Sequence, residues 1–335
     1  LRIAVDLMGA DLKPKDLLAG LHSAARECPD LHIIAVGRES DIRPYIDKEL
    51  KNIEIRNAND VIGPDEDPAF SVRRKKEASM VVAGQMVFDG EADAMISAGN
   101  TGALVATGIF VMKRMDGVER PGLAPMIPTV DNVGVIALDL GANMDAQPEH
   151  LVQYAIMGSI YREKINGIVK PRVGLLNVGT EEGKGNKLTS SAYDLLAKAP
   201  IHFVGNVEAR DVLTRNCDVL ICDGFVGNVL LKAMEGTANT MFSIIRNELT
   251  SSFFTKLLAL PLRSSLRKIK DKYNYKSTGG GILLGVNGLC FKAHGSSDSF
   301  AFKNAIFQAR KAIENDLIGV IAKELQKQAE STDRK

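Results

Sequence analysis

Short aliphatic and β-branched runs alternate along this chain with longer stretches whose apolar positions recur every three to four residues. The short runs read as buried strands and the longer stretches as amphipathic helices. Strands are predicted at Arg2–Asp6, Leu31–Val36, Ile53–Arg56, Ala92–Ser97, Val133–Leu138, Val173–Asn177, Ile201–Val204, Val219–Cys222 and Leu289–Lys292. Helices are predicted near 14–27, 69–88, 102–114, 149–164, 187–198, 207–215, 227–249 and 298–325. The alternation predicts a single α/β domain over 1–335, a Rossmann-like αβα sandwich with a mostly parallel sheet covered on both faces.

Ligands of such sheets gather at the carboxyl ends of the strands. Seven of the predicted strands run out into glycine with Asn, Asp, Ser or Thr: residues 7–11, 98–102, 139–143, 178–186, 205–206, 223–228 and 293–299. One such loop is an ordinary turn. Seven on one edge would make a polar cleft rich in backbone donors.

The most pronounced of them is RVGLLNVGTEEGKGN, residues 172–186, where an apolar run breaks at Asn177 into three glycines around Lys184. A buried strand delivering a glycine-rich loop presents N–H groups to an anion. The spacing misses the P-loop pattern, and Gly185 stands where that pattern needs a hydroxyl for Mg²⁺. The reading is an anion-binding loop with a lysine, against the alternative of a flexible surface turn. Asn228, after Asp223-Gly224-Phe225-Val226-Gly227, is placed to donate its amide at a helix start, with a plain N-cap as the alternative. In Ser97-Ala98-Gly99-Asn100-Thr101-Gly102 a strand turns into a helix and leaves N–H groups free for an anion, or forms a capped turn. No G-x-G-x-x-G is present, so the dinucleotide fingerprint is missing.

His294, Ser296 and Asp298 invite a hydrolase reading, but the nucleophile elbow G-x-S-x-G is absent and a helix-entry role fits better. Asp6, Asp11, Asp139 and Asp223 are of the right type to ligate Mg²⁺ or to organise loops. Four scattered cysteines without a C-x-x-C pair argue for a reducing compartment, and against a disulfide framework or structural zinc. A net charge of +1, no Trp and 5% aromatic residues give no case for nucleic acid. No apolar run reaches the ~18 residues of a membrane span, and no secretory signal is visible, so the expectation is a soluble cytoplasmic protein.

One segment breaks the pattern. Between 251 and 276, within a protruding helical stretch at 245–280, seven Lys or Arg stand against one Asp, giving a local charge of +6. Phe253, Phe254, Leu257, Leu258 and Leu262 lie among them at helical spacing, and Pro261 is expected to kink or split the helix. A basic amphipathic segment reads as binding an anionic membrane surface; a helical hairpin packed in a dimer is the alternative.

Taken together, the motifs SAGNTGA (97–103), RPGLAPMIPT (120–129), LDLGANMDAQPEHLVQYAIMGS (138–159), PRVGLLNVGTEEGKGN (171–186), FVGNVEARD (203–211), CDGFVGNV (222–229) and KAHGSSDS (292–299) resemble the bacterial acyl-carrier-protein:phosphate acyltransferases, over nearly the whole chain. Gly9-Ala10 and Leu12 depart from that family, which usually has Gly-Gly and a His there. The resemblance implies transfer of a fatty acyl group from acyl carrier protein to inorganic phosphate. The acyl phosphate would feed an acyl-phosphate:glycerol-3-phosphate acyltransferase in phospholipid synthesis. It also implies a fold related to isocitrate and isopropylmalate dehydrogenases, a homodimer, no organic cofactor and peripheral association with the inner face of the plasma membrane. Lys184 and Asn228 are expected to be catalytic. Substrate is expected to meet Asp6, Gly9, Ser97, Gly99, Asn100, Thr101, Gly102, Asp139, Asn143, Asn177, Gly179, Thr180, His294 and Ser296. The rival readings are a hydroxy-acid dehydrogenase of similar fold and a membrane-docked scaffold for lipid-synthesis enzymes.

Overall fold

The computed structural model describes residues 1–272, 279–295 and 299–332. Eleven strands form one sheet: β1 (Arg2–Asp6), β2 (His32–Gly37), β3 (Ile53–Asn57), β4 (Ala94–Ser97), β5 (Gly122–Ile127), β6 (Val135–Leu138), β7 (Arg172–Asn177), β8 (His202–Glu208), β9 (Val219–Ile221), β10 (Gly281–Leu284) and β11 (Leu289–Lys292). Their order across the sheet is β3-β2-β1-β4-β11-β10-β5-β6-β9-β7-β8. The helices are α1 (Pro14–Glu27), α2 (Glu39–Ile42), α3 (Pro68–Arg74), α4 (Ser79–Phe88), α5 (Thr101–Thr107), α6 (Pro148–Asn166), α7 (Lys187–Leu196), α8 (Gly224–Leu249), α9 (Phe253–Ala259), α10 (Arg263–Lys272), α11 (Ser299–Glu314) and α12 (Leu317–Thr332).

The nine predicted strands are all present within a few residues of their expected bounds. β5 and β10 are not predicted by the pattern, and both matter. Pro121, Pro125 and Pro128 punctuate the β5 stretch, and proline within a run argues against a central strand. Pro125 is tolerated because the β6 ladder begins only at Met126, opposite Ile136. β10 is four residues long and follows Gly279 and Gly280, too short for periodicity to classify.

These two strands reverse the sheet. β1, β2, β3, β4 and β11 run parallel to one another, as do β6, β7, β8 and β9. Between β11 and β6 lie three antiparallel steps, through β10 and β5. An odd number of reversals makes the two parallel sets point in opposite directions. The polar loops therefore do not share one edge: those after β1, β4 and β11 open at one end of the strands, and those after β6, β7, β8 and β9 at the other.

Alternation along each strand separates the two faces. Ile3, Val5, Ile96, Phe291, Ile136, Val173 and Val219 join one continuous core with α1, α6, α7, α11 and α12. On the other face Ala4, Met95, Cys290 and Leu283 pack under α4 and α5, while Ile127, Ala137 and Leu220 form a separate cluster reached by Leu230 and Met234 of α8. The core of this second face is thus divided, between the α5 side and the α8 side.

Several predicted helices are shorter than the pattern implied. The 69–88 stretch is α3 and α4, parted where Lys75 Nζ bonds the Val61 carbonyl and Glu66. The 298–325 stretch is α11 and α12, parted at Asp316, which has φ +45°. The 207–215 stretch is the end of β8 followed by a 3₁₀ turn over Ala209–Thr214. Pro261 splits its segment as expected: α9 ends at Ala259 and a 3₁₀ turn, Leu260–Leu262, leads into α10.

Candidate active site

Two groups of loops carry the candidate residues. At the ends of β1 and β4, Asp6 and Ser97 are buried register partners. Ser97 Oγ donates to Asp6 Oδ2 at 2.6 Å and accepts the Gly99 N–H at 3.0 Å, while Asp6 Oδ1 accepts the Met8 N–H at 3.0 Å. Gly9 and Gly99 bring their backbones together: a Cβ on Gly9 would lie 2.8 Å from Gly99 Cα. Asn100 caps α5 by accepting the Ala103 N–H and ties the loop to the Pro64 carbonyl. Thr101 and Gly102 open that helix, with Gly102 set against Pro68. The run-out of β11 joins this group, because Asp11 N donates to the Gly295 carbonyl beside His294. Ser296 and Asp298 lie outside the described residues.

The second group stands at the ends of β6, β7 and β9. Asp139 is fully buried, and its carboxylate accepts the N–H groups of Leu123, Ala142 and Asn143. Burial pushes its carboxyl up to about 6 against the pull of those donors. So saturated, it shapes the 139–143 loop. Asn143 serves the same loop: its carbonyl accepts the Gly224 N–H, and its amide reaches Tyr154 and His150.

The lysine loop is closed by two buried amides. Asn177 Nδ2 donates to the Lys184 carbonyl at 2.9 Å and to Asn206 Oδ1 at 3.1 Å; Asn206 Nδ2 donates to the Glu181 carbonyl at 2.8 Å. Gly185, at φ +105°, sits so close that a Cβ would fall 2.5 Å from Asn177 Oδ1. Gly179 is buried and Thr180 exposed. The Lys184 side chain is 53% exposed, and its ammonium lies 3.9 Å from Glu181, so the loop holds a cation out toward solvent.

Asn228 is not an N-cap. Asp223 caps α8, accepting the N–H groups of Phe225 and Val226 at 3.0 Å, which places Asn228 in the second turn. Its amide lies against Gly141, and among the described residues nothing hydrogen-bonds to it. A cavity of about 580 Å³ opens beside Leu176, Asn177, Gly185, Asp223, Val226 and Val229.

The two groups share a face of the sheet. Ala142 packs against the core cluster that contains Ala103 and Leu104 of α5. Lys232, a turn beyond Asn228, is close enough to Lys292 at the end of β11 to weigh on its charge. Sequence reasoning missed Asn206, which shapes the lysine loop, although it lies in a glycine-bearing strand end. It also missed Lys292, which sits inside a quoted motif but reads there as the last residue of a strand.

Residues 1–319 match the family model described as fatty acid synthesis protein. Phosphate acyltransferases from Bacillus cereus strains G9842 and AH820 are each 50% identical to the chain, over 98% of it and 99% of theirs. The chain belongs to the phosphate acyltransferase family. As a phosphate acyltransferase family member it also resembles solved structures in fold alone. A phosphotransacetylase from Streptococcus pyogenes superposes with a TM-score of 0.57 at 18% identity, covering 93% of this chain and 94% of that one. A 4-hydroxythreonine-4-phosphate dehydrogenase from Klebsiella pneumoniae does so with 0.51 at 12% identity, covering 93% and 99%.

Proposed function

We propose that this phosphate acyltransferase family member moves a fatty acyl group from an acyl-carrier-protein thioester to inorganic phosphate, and that the acyl phosphate serves phosphatidic acid synthesis through a downstream glycerol-3-phosphate acyltransferase. The observation that carries the reading is half-identity to phosphate acyltransferases over nearly the full length. In this reading Lys184 and the unengaged Asn228 amide hold phosphate and stabilise the charge that builds on the thioester oxygen, one well-placed donor being worth ~3 kcal/mol. The glycine loops at 99–102 and 179–185 add N–H groups. The apolar cavity beside Val226 and Val229 suits the first part of an acyl chain. The family relation to isocitrate and isopropylmalate dehydrogenases belongs to the same proposal, and the dehydrogenase-like neighbour is in keeping with it.

Two surfaces bear on partners. α8 buries only Gly224 and Gly227 and leaves Val229, Met241 and Ile244 about half exposed, which supports a homodimer. The α9–α10 segment exposes Phe253 at 77%, Phe254 at 76% and Leu258 at 75%, with Leu257 and Leu262 also out, beside Lys256, Arg263 and Arg267. That combination suits an anionic membrane surface. Among the described residues no helix is long and apolar enough to cross a membrane.

The test is acyl phosphate formation, trapped as hydroxamate, from an acyl-carrier-protein thioester with and without phosphate. Phosphate-dependent release of thiol is expected; a folded protein with no turnover, vesicles included, refutes the reading and favours the scaffold. Leu257→Glu with Leu258→Glu should release the protein from anionic vesicles without altering its unfolding curve.

A further inference from the structure

Asp6, Ser97 and Lys292 stand in one row. Ser97 is the register partner of Asp6 in β1 and of Lys292 in β11, and partners on adjacent parallel strands project to the same face. That face is the one whose core is divided, since Ala4, Met95 and Cys290, two residues earlier on each strand, all belong to the cluster beneath α4 and α5. The row continues into Gly281 and Pro125, positions with no side chain and a short one. Lys292 therefore shares its row with Asp6 and with Ser97, whose hydroxyl holds the Gly99 N–H. Among the described residues its Nζ donates only to the neighbouring Ala293 carbonyl. A part-buried ammonium with one carbonyl acceptor keeps donor capacity that nothing among the described residues uses.

The reaction proposed above has a step that needs such a donor. When phosphate adds to a thioester, the adduct can expel either group. Inorganic phosphate loses its second proton near neutrality, a thiol its proton at higher pH, near ~8.5. Phosphate is the weaker base and leaves more readily, so the adduct falls back unless the sulfur is protonated as it departs.

We propose that Lys292 is the general acid of acyl transfer, an assignment that rests on the acyl-transfer reading. A phosphate oxygen lone pair forms the C–O bond at the thioester carbonyl carbon. The C–S bond breaks with its electron pair on sulfur, and the Lys292 ammonium passes that sulfur a proton. Thiol and acyl phosphate leave, and the neutral amine regains its proton from solvent. Ser97 and Asp6 keep the row polar and in place: the Ser97 hydroxyl is committed to Asp6, so it does not compete as the donor.

The charged groups that face Lys292 are Asp6 at the end of β1, Asp11 in the loop after it and Lys232 from α8, with His294 two residues along the chain. Burial outweighs the two carboxylates and lowers the ammonium to about 8. The donor form is therefore present below pH 8 and lost above it, close to the proton affinity of the thiol it serves.

Two acyl donors separate this role from a structural one. An acyl pantetheine thioester releases a basic alkyl thiolate, and an acyl thionitrobenzoate ester releases an aryl thiolate that needs no proton. With the intact protein at pH 7, Lys292→Met is expected to lose about a hundredfold in kcat/KM on the alkyl donor and only a few-fold on the aryl donor. The wild-type fall in rate above about pH 8 on the alkyl donor should vanish in the variant. Equal losses on both donors, or an alkaline fall that survives in Lys292→Met, overturn the proposal. Should Lys292→Met fail to fold by circular dichroism, Lys292→Arg asks the same question, because a guanidinium keeps the charge but does not give up its proton. The same donor-dependent loss is expected, and wild-type activity in the arginine variant overturns the role. A folded wild-type protein inactive on both donors instead overturns acyl transfer itself, and the role with it.

Discussion

Replacing Asn177 by Ala tests the claim that the lysine loop owes its shape to a pair of buried amides. Asn177 and Asn206 are 9% and 7% exposed, and neither is a charged group. The substitution removes two donated bonds, to the Lys184 carbonyl and Asn206 Oδ1, and the bond its own Oδ1 accepts from Val178 N at 2.8 Å. Each is worth about 1 kcal/mol net, and a buried partner left unpaired costs about 1–3 kcal/mol. Val178 and Lys184 are exposed enough to recover water; Asn206 is not. The loss is therefore about 2–4 kcal/mol, falling mostly on the loop and less on global unfolding. At roughly 1.4 kcal/mol per tenfold, that opens the loop about thirty- to several-hundredfold more often. Hydrogen exchange should show it at the Lys184 amide, which donates to the Glu181 carbonyl, while the urea midpoint moves little. Acyl transfer should fall in step with the opening, although Asn177 need not touch substrate. In a double-mutant cycle Asn177→Ala and Asn206→Ala should couple by about 0.5–3 kcal/mol. Unchanged exchange and activity in Asn177→Ala, or strict additivity with Asn206→Ala, would refute the reasoning.

Lys184→Ala should separate catalysis from stability in the opposite sense. Its exposed pair with Glu181 contributes at most about 1 kcal/mol, so the unfolding curve should hardly move while kcat/KM drops about a hundredfold or more; full activity in the folded variant would sink the assignment. Asp139 carries a pH signature. Its carboxyl, raised from 3.8 to about 6 by burial, holds a proton in the folded state that the unfolded chain has released. Stability from this group is full below about 3.8 and lost as pH rises through about 6. Asp139→Asn should therefore cost more stability in urea at pH 4.5 than at pH 7, and the reverse ordering would show that burial is not the dominant influence on this carboxyl.

The alternation of short apolar runs with helical periods determined most of the secondary structure, because period-2 and period-3.6 burial are local properties of the chain. It placed all nine parallel strands: seven are buried almost throughout and so read as apolar runs, while the part-exposed edge strands β3 and β8 still carry Ile53 with Ile55 and Phe203 with Val204. The break at Pro261 was equally local: a ring that cannot donate and a fixed φ act wherever they stand. Glycine with Asn, Asp, Ser or Thr marked the strand ends at Ser97 and Asn177, the loops of Gly99 and Lys184 and the helix start before Asn228, because backbone approach and turn chemistry depend on residue type.

What the chain alone did not reveal rests on pairing. β5 carries a proline and β10 is four residues long, so neither declares itself without the neighbours that satisfy it. Yet these two strands supply the antiparallel steps that turn half the sheet around and part the polar loops into two groups. Only the ladder registers put Lys292 in a row with Ser97 and Asp6, three residues separated by up to 286 positions in sequence. Burial then did what composition cannot: it set Asp139 to shaping its loop, left Lys184 in solvent, and gave Lys292 its low proton affinity. Those properties depend on which groups surround a side chain, and that is decided only when the sheet closes.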